Sequence, residues 1–420
     1  MLRLKRILLP AAMILAVMAA GSCASSGRGN ADSDSLAEER LSAEEELERE
    51  AWAWADSATN AMSLQLRVGQ LIMPAVYTTT DDATMERISD YADRLGVGGI
   101  ILLKGDVMSA AQIADSVSRL APYGLFIAVD AETGLSMRLR DAPEFLWNSH
   151  ISSSADAETL FDYGRELARE CRLAGVNMVL GPVLDVVDST ASARSLNRRR
   201  SFGQDPERVA ELGVAYARGL EAGGVISVAK HFPGHGAAKG DSHRRLVEVD
   251  KSAEAMRAED LLPFRKYADA GFSGIMVGHI FVPSLDSIRR PASSSPVLLK
   301  GILREELGFE GLILTDAFNM VGAEDYTALD AVKAGADIVL APTRTERAIA
   351  EVRDAVEAGE VPESEINEHC RRILYYKYLR GVAGPRAGRS PAALRLSPAT
   401  VTDTLRHGAA PVRRRLAPTQ

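Results

Sequence analysis

Cysteine is scarce, with three in 420 residues, at positions 23, 171 and 370. Cys171 and Cys370 fall in segments of helical pattern, so no disulfide framework is visible and both read as buried small hydrophobes. A basic excess is lacking too. The net charge is −8 and the pI about 5.6, which argues against a nucleic-acid partner, whose backbone would attract a positive surface. A neutral or modestly polar substrate fits this balance better. Long apolar runs are missing as well: the N-terminal stretch Ile7 to Ala20 is short of the roughly 20 residues that cross a bilayer.

That stretch follows Arg3, Lys5 and Arg6 and leads through small residues to Cys23, which is the anatomy of an export signal. Ala20-Gly21-Ser22-Cys23 resembles a bacterial lipobox, which implies that Cys23 is acylated and anchors an exported protein at a membrane without spanning it. A plain secretory signal is the alternative. Residues 24–51 are small, polar and acidic (Glu44, Glu45, Glu46, Glu48, Glu50) and read as a solvated linker, with the folded domain starting near Trp52. At the other end, residues 381–420 set seven arginines against Asp403 amid Pro, Ala and Ser. They read as a basic disordered tail, a truncated further domain being the alternative.

Between these ends, apolar runs recur: 71–76, 98–103, 125–130, 176–182, 224–231, 274–279, 311–316 and 336–342. They are continuous rather than alternating, as parallel strands covered on both faces require. The intervening stretches, such as 158–173, 206–222, 253–270 and 298–307, carry apolar residues at helical spacing. Eight β/α repeats predict an α/β fold, a TIM-like (β/α)8 barrel over residues 52–380, and a length that serves one large domain. A doubly wound open sheet would give a similar linear pattern.

Reacting groups of such a barrel gather at the carboxyl ends of its strands. Asp130 ends the third run, Lys230 and His231 the fifth, His279 the sixth and Asp316 the seventh. Four of the seven histidines (His231, His235, His243, His279) follow the fifth and sixth runs. Asp316 closes an apolar strand, where desolvation disfavours its charge unless a cation or donor faces it; a helix N-cap is the structural alternative. The loop 230–243 is glycine-rich and long for a βα connection. In it Asp241 and His243 lie two apart, so an extended segment sends both side chains the same way. A carboxylate beside an imidazole orients it for proton transfer at neutral pH. His231, His235, Asp241 and His243 could instead ligate zinc, although no H-E-x-x-H signature appears.

KHFPGHG followed by DSH, and then a strand ending TDAFNM, resembles glycoside hydrolase family 3, and within it the β-N-acetylglucosaminidases. The likeness runs from about Trp52 to Tyr378 and includes VDAETGLSMRL (129–139), GPVLDVV (181–187), RSFGQDPERV (200–209) and the stretch 290–320. It implies that Asp316 is the nucleophile and that His243, backed by Asp241, is the acid/base. It also implies that Asp130, Arg138, Arg200, Lys230 and His231 hold the sugar, with Lys230 and Arg200 keeping Asp316 ionised.

The implied reaction is retaining hydrolysis of terminal β-linked N-acetylglucosamine from an oligosaccharide, with neither metal nor organic cofactor. The resemblance suggests peptidoglycan fragments; chitin oligomers, host glycans, a non-hydrolytic glycan-binding role and phosphate in place of water stay open. One departure stands out. Where the family has Glu-Gly-Gly, this chain has Glu132-Thr133-Gly134, and a Cβ at Thr133 puts the local sugar contact in doubt if the backbone there needs positive φ.

Overall fold

The computed structural model describes residues 29–188, 196–238, 246–320, 325–387 and 391–417. Its strands are β1 (Ile72–Met73 and Ala75–Thr78, interrupted at Pro74), β2 (Gly99–Gly105), β3 (Phe126–Val129), β4 (Met178–Val179), β5 (Ile226–Phe232), β6 (Gly274–Val277), β7 (Leu312–Thr315) and β8 (Val339–Leu340). Each pairs in parallel with its neighbour from β1 through β7. The ring then closes through β8. Val339 pairs with Ile72 on β1, and Leu314 of β7 bridges to Ile338. This is the expected eight-stranded barrel, and the closing pairs exclude the open sheet. Continuous apolar runs are needed because both faces are covered, and every residue of β5 is buried.

The crossover helices carry explicit start and stop signals. Asp156 accepts from the Thr159 N–H to cap Ala157–Ala174, which ends at Gly175 with φ 79°. Asp205 caps Pro206–Ala222. These two helices cross at glycines: a Cβ on Gly164 would lie 2.2 Å from the Tyr216 carbonyl oxygen, and one on Gly219 2.0 Å from that of Phe161. Cys171 and Cys370 are buried free thiols.

Both ends of the chain differ from the sequence expectation. From Gly29 the supposed acidic linker is backbone-helical, part of one helix spanning Gly29–Ala61 in which Trp52 is internal rather than first. Its polar stretch is rich in Ala, Leu, Glu and Arg, all strong helix formers, so exposure did not mean disorder. From Ala51 onward the helix packs on Glu363–Leu379: Ala51, Ala55 and Ala58 are buried, and Trp52 stacks on Tyr375 with ring centroids 4.1 Å apart.

The basic tail is also ordered over Pro398–Leu416, a helix capped by Ser397. Val401, Leu405, Ala409, Val412 and Leu416 form a buried stripe against the Ala157–Ala174 helix. The arginines occupy its outer face, and their number hid the helical period of the apolar residues. Cys23 and the leader lie outside the described residues; among the described helices none is long and apolar enough to cross a membrane.

If this helix is part of the core, Leu405→Ala should destabilise the protein by about 2–5 kcal/mol, measured by denaturant unfolding. A midpoint equal to the parent's would return the segment to the status of a tail.

Candidate active site

The polar residues at the strand ends converge on Lys230, near the end of β5 and 2% exposed. Its ammonium lies 2.9 Å from Asp130 Oδ1 and 2.9 Å from Glu132 Oε1. Burial pushes the lysine pKa down, but the two carboxylates outweigh that and leave it raised. Arg200, at the end of the Leu196–Arg200 helix that follows β4, forks onto Glu132 with 2.8 and 2.7 Å bonds from Nε and an Nη atom. Arg138 donates to Asp130 at 2.5 Å. Burial alone would raise both acids. Lys230 with Arg138 instead holds Asp130 down to about 2, and Lys230 with Arg200 holds Glu132 well below the carboxylate range.

Asp185, beyond β4, organises the glycine-rich loop. It accepts from the main-chain N–H of His231 at 3.1 Å and of His235 at 2.8 Å, and meets His231 Nδ1 at 2.7 Å. An Arg200 guanidinium nitrogen lies 3.1 Å from His231 Nε2. Since guanidinium only donates, the ring proton sits on Nδ1 facing Asp185. Both ring nitrogens of His231 are thereby engaged, which removes it from the zinc set considered from spacing. Gly236 permits the tight approach: a Cβ there would lie 1.8 Å from the Val186 carbonyl oxygen.

Asp316 sits one residue past β7. Its N–H donates to Val277 O at 2.8 Å, and its Oδ1 accepts from the Ala317 N–H at 2.8 Å. The next described helix starts at Ala328 and is capped by Thr327, so Asp316 is not a helix N-cap. Burial pushes its pKa up. The His231 and His279 imidazoles, the Ala317 N–H and the Lys230 ammonium outweigh burial and hold it below the usual range. His279, at the end of β6 and fully buried, spans Ser293 Oγ at 2.7 Å and the Ala317 carbonyl at 3.1 Å. It thus fixes the peptide that follows Asp316.

Asp130, Arg138, Arg200, Lys230, His231 and Asp316 thus line one end of the barrel. Asp241 and His243 belong to 239–245, outside the described residues. The chain leaves for that segment after β5 and returns at Val247–Glu248, which pairs in parallel with Ile280–Phe281 just past β6. The doubt about Thr133 is resolved. It is not among the residues with positive φ; Gly134 is, at 80°, where a Cβ would lie 2.5 Å from the Phe145 ring. Two positions that organise this cluster were missed from sequence. Glu132 was noted only as the start of the departing tripeptide, and Asp185 only within GPVLDVV. A lone carboxylate inside an apolar run was the available signal for the latter.

The site is a closed parallel barrel whose carboxyl-terminal mouth holds an ionised aspartate beside a fixed cation–carboxylate cluster. The model of the glycosyl hydrolase family 3 N-terminal domain matches residues 63–376. The β-hexosaminidase of Chromobacterium violaceum is 33% identical over 323 residues, 71% of this chain and 87% of that protein. β-Hexosaminidase A of Pseudoalteromonas piscicida is 32% identical over 328 residues, 69% of this chain, and the match spans about half (54%) of that relative's length. Among solved structures, a family 3 β-N-acetylglucosaminidase from Paenibacillus sp. str. FPU-7 superposes with a TM-score of 0.72 at 28% identity, covering 83% of this chain and 68% of that one. The chain belongs to glycoside hydrolase family 3, a family of glycosidases, and the relatives it resembles are β-hexosaminidases.

Because the Asp130 carboxyl is depressed, its contribution to stability is present in full above its ordinary pKa near about 4 and is lost as pH falls. Asp130→Asn should therefore melt below the parent at neutral pH. The difference should close between about pH 4 and the folded-state value of about 2. Melting curves recorded across that window check it; a difference still intact at the acid end would contradict the ion-pair account.

Proposed function

We propose that this chain is a retaining exo-β-N-acetylglucosaminidase. The observation that carries the reading is Asp316: a carboxylate at the end of β7, beside Lys230, His231 and His279, and held ionised despite burial. Ionised, it can attack an anomeric carbon, while an acid on the other face delivers a proton to the departing oxygen. His243 takes that second role, with Asp241 orienting its ring. Asp316 forms the glycosyl ester as His243 protonates the leaving group; His243 then takes a proton from water, which displaces Asp316 and frees the sugar with its configuration retained.

Asp130, Lys230, Arg138, Arg200 and His231 supply donors and acceptors suited to sugar hydroxyls and an acetamido group. Their mutual ion pairs fix the geometry before substrate arrives. The hexosaminidases similar to this chain support an N-acetylglucosamine-containing oligosaccharide as the substrate. Within that class we favour peptidoglycan fragments, met by an exported protein held at a membrane through Cys23. A histidine in the acid/base role suits such substrates, because a neutral-pH imidazole repels an anionic leaving sugar less than a second carboxylate would.

Incubating the purified protein with an aryl β-N-acetylglucosaminide should release N-acetylglucosamine, and Asp316→Asn should reduce kcat by about three orders of magnitude or more. A variant as active as the parent would overturn the assignment. Muropeptides, chitobiose and an N-glycan, compared side by side with and without phosphate, separate the substrate classes and show whether a sugar phosphate forms.

A further inference from the structure

The Glu132–Arg200 pair joins two loops that are distant in sequence, one after β3 and one after β4. Neither is held by the barrel strands alone. A short segment between them, Phe145 to Asn148, touches both. The Phe145 N–H donates to the carbonyl of Thr133, next to Glu132, at 3.0 Å. Three residues on, Asn148 Nδ2 donates to the main-chain carbonyl of Arg200 at 2.7 Å.

Arg200 closes the Leu196–Arg200 helix, so its carbonyl is one of the acceptors that a helix end leaves without an intrahelical partner. Asn148 supplies that partner. Asn148 is 6% exposed, and the segment itself is fixed. Phe145 packs on Tyr163 with ring centroids 4.6 Å apart, and Ile151 of the following turn is fully buried. The Asn148 amide therefore comes from a rigid wall.

We infer that Asn148 is a positioning residue for sugar binding. Through the Arg200 carbonyl it sets the height and direction of the guanidinium that grips Glu132 and faces His231 Nε2. The inference rests on the proposed role of Arg200 in holding the sugar. Asparagine is required for its donor: an aspartate of the same shape would set oxygen against oxygen. Losing the bond leaves the fork free to swing, because the Arg200 side chain reaches Glu132 from the backbone that Asn148 holds. Since Arg200 grips the sugar rather than the bond that breaks, the loss falls on KM more than on kcat.

The test is a double-mutant cycle on an aryl β-N-acetylglucosaminide, with Asp316→Asn as the control for the reaction itself. Asn148→Ala and Asn148→Asp should each raise KM about tenfold, with kcat within about twofold of the parent. On an Arg200→Ala background neither should have further effect. If the alanine variant fails to fold, Asn148→Asp, which preserves the volume, carries the cycle. A parental KM in Asn148→Asp overturns the inference, as does the same factor appearing with and without Arg200, which would make Asn148 merely structural. A parent without hydrolysis, or an active Asp316→Asn, overturns instead the enzymatic reading on which it rests.

Discussion

The buried ammonium of Lys230 constrains everything at the mouth of the barrel. A lysine 2% exposed is tolerated only if ionic partners replace its hydration, since one left uncompensated costs several kcal/mol. Asp130 and Glu132 provide that replacement, each at 2.9 Å. Glu132 is buried in turn and Asp130 partly so, and they draw in Arg200 and Arg138. The chain of obligations ties β3, the segment after β4 and β5 into one rigid constellation. Asp316 lies beside it without sharing its ion pairs; His231, His279 and the Ala317 N–H, with Lys230 as the one cation in common and not the expected Arg200, keep it charged.

Much of this was legible before any coordinates. The eight apolar runs became the eight strands because a parallel barrel strand needs apolar residues on both faces, a demand that leaves a trace in composition. Asp130, Lys230, His231, His279 and Asp316 were found because they interrupt such runs at their carboxyl ends, where apolar packing gives no reason for a charge. Glu132 and Asp185 lay beyond that rule, being three and six residues past their strands. Their importance comes from what they face, not from where they stand in the chain. The His231–Asp185 and Arg200–Glu132 contacts join residues 46 and 68 positions apart, and no periodicity encodes them.

The two terminal helices were hidden for a different reason. Composition was weighed as net polarity, whereas a surface helix needs only a narrow apolar stripe. Val401, Leu405, Ala409, Val412 and Leu416 make that stripe among many arginines, and Ala51, Ala55 and Ala58 make it with small residues that hydropathy scarcely registers. Both helices lie on the outside of the barrel, where one face is free to be polar.

The opposite end of the barrel holds a second buried lysine that shows what distinguishes a site from a scaffold. Lys377, fully buried, gives hydrogen bonds to Gln70 Oε1 at 2.6 Å and the Gly124 carbonyl at 2.8 Å, with its ammonium 5.4 Å from the Phe126 ring centroid. Its acceptors are neutral, so desolvation wins and its pKa falls to about 7. Lys230, equally enclosed, moves the other way because carboxylates surround it. Burial is therefore common to both ends, and the difference lies in fixed charge. Near the foot of β8, Asp337 spends its charge on Arg304, Arg372 and His369 and its remaining capacity on the Ile313 N–H, with nothing left facing a cavity. At the mouth, Asp130 keeps 17% of its side chain exposed and Arg138 25%. A charge network that is saturated and closed holds the chain together; one that is saturated yet open along one edge can also hold a ligand.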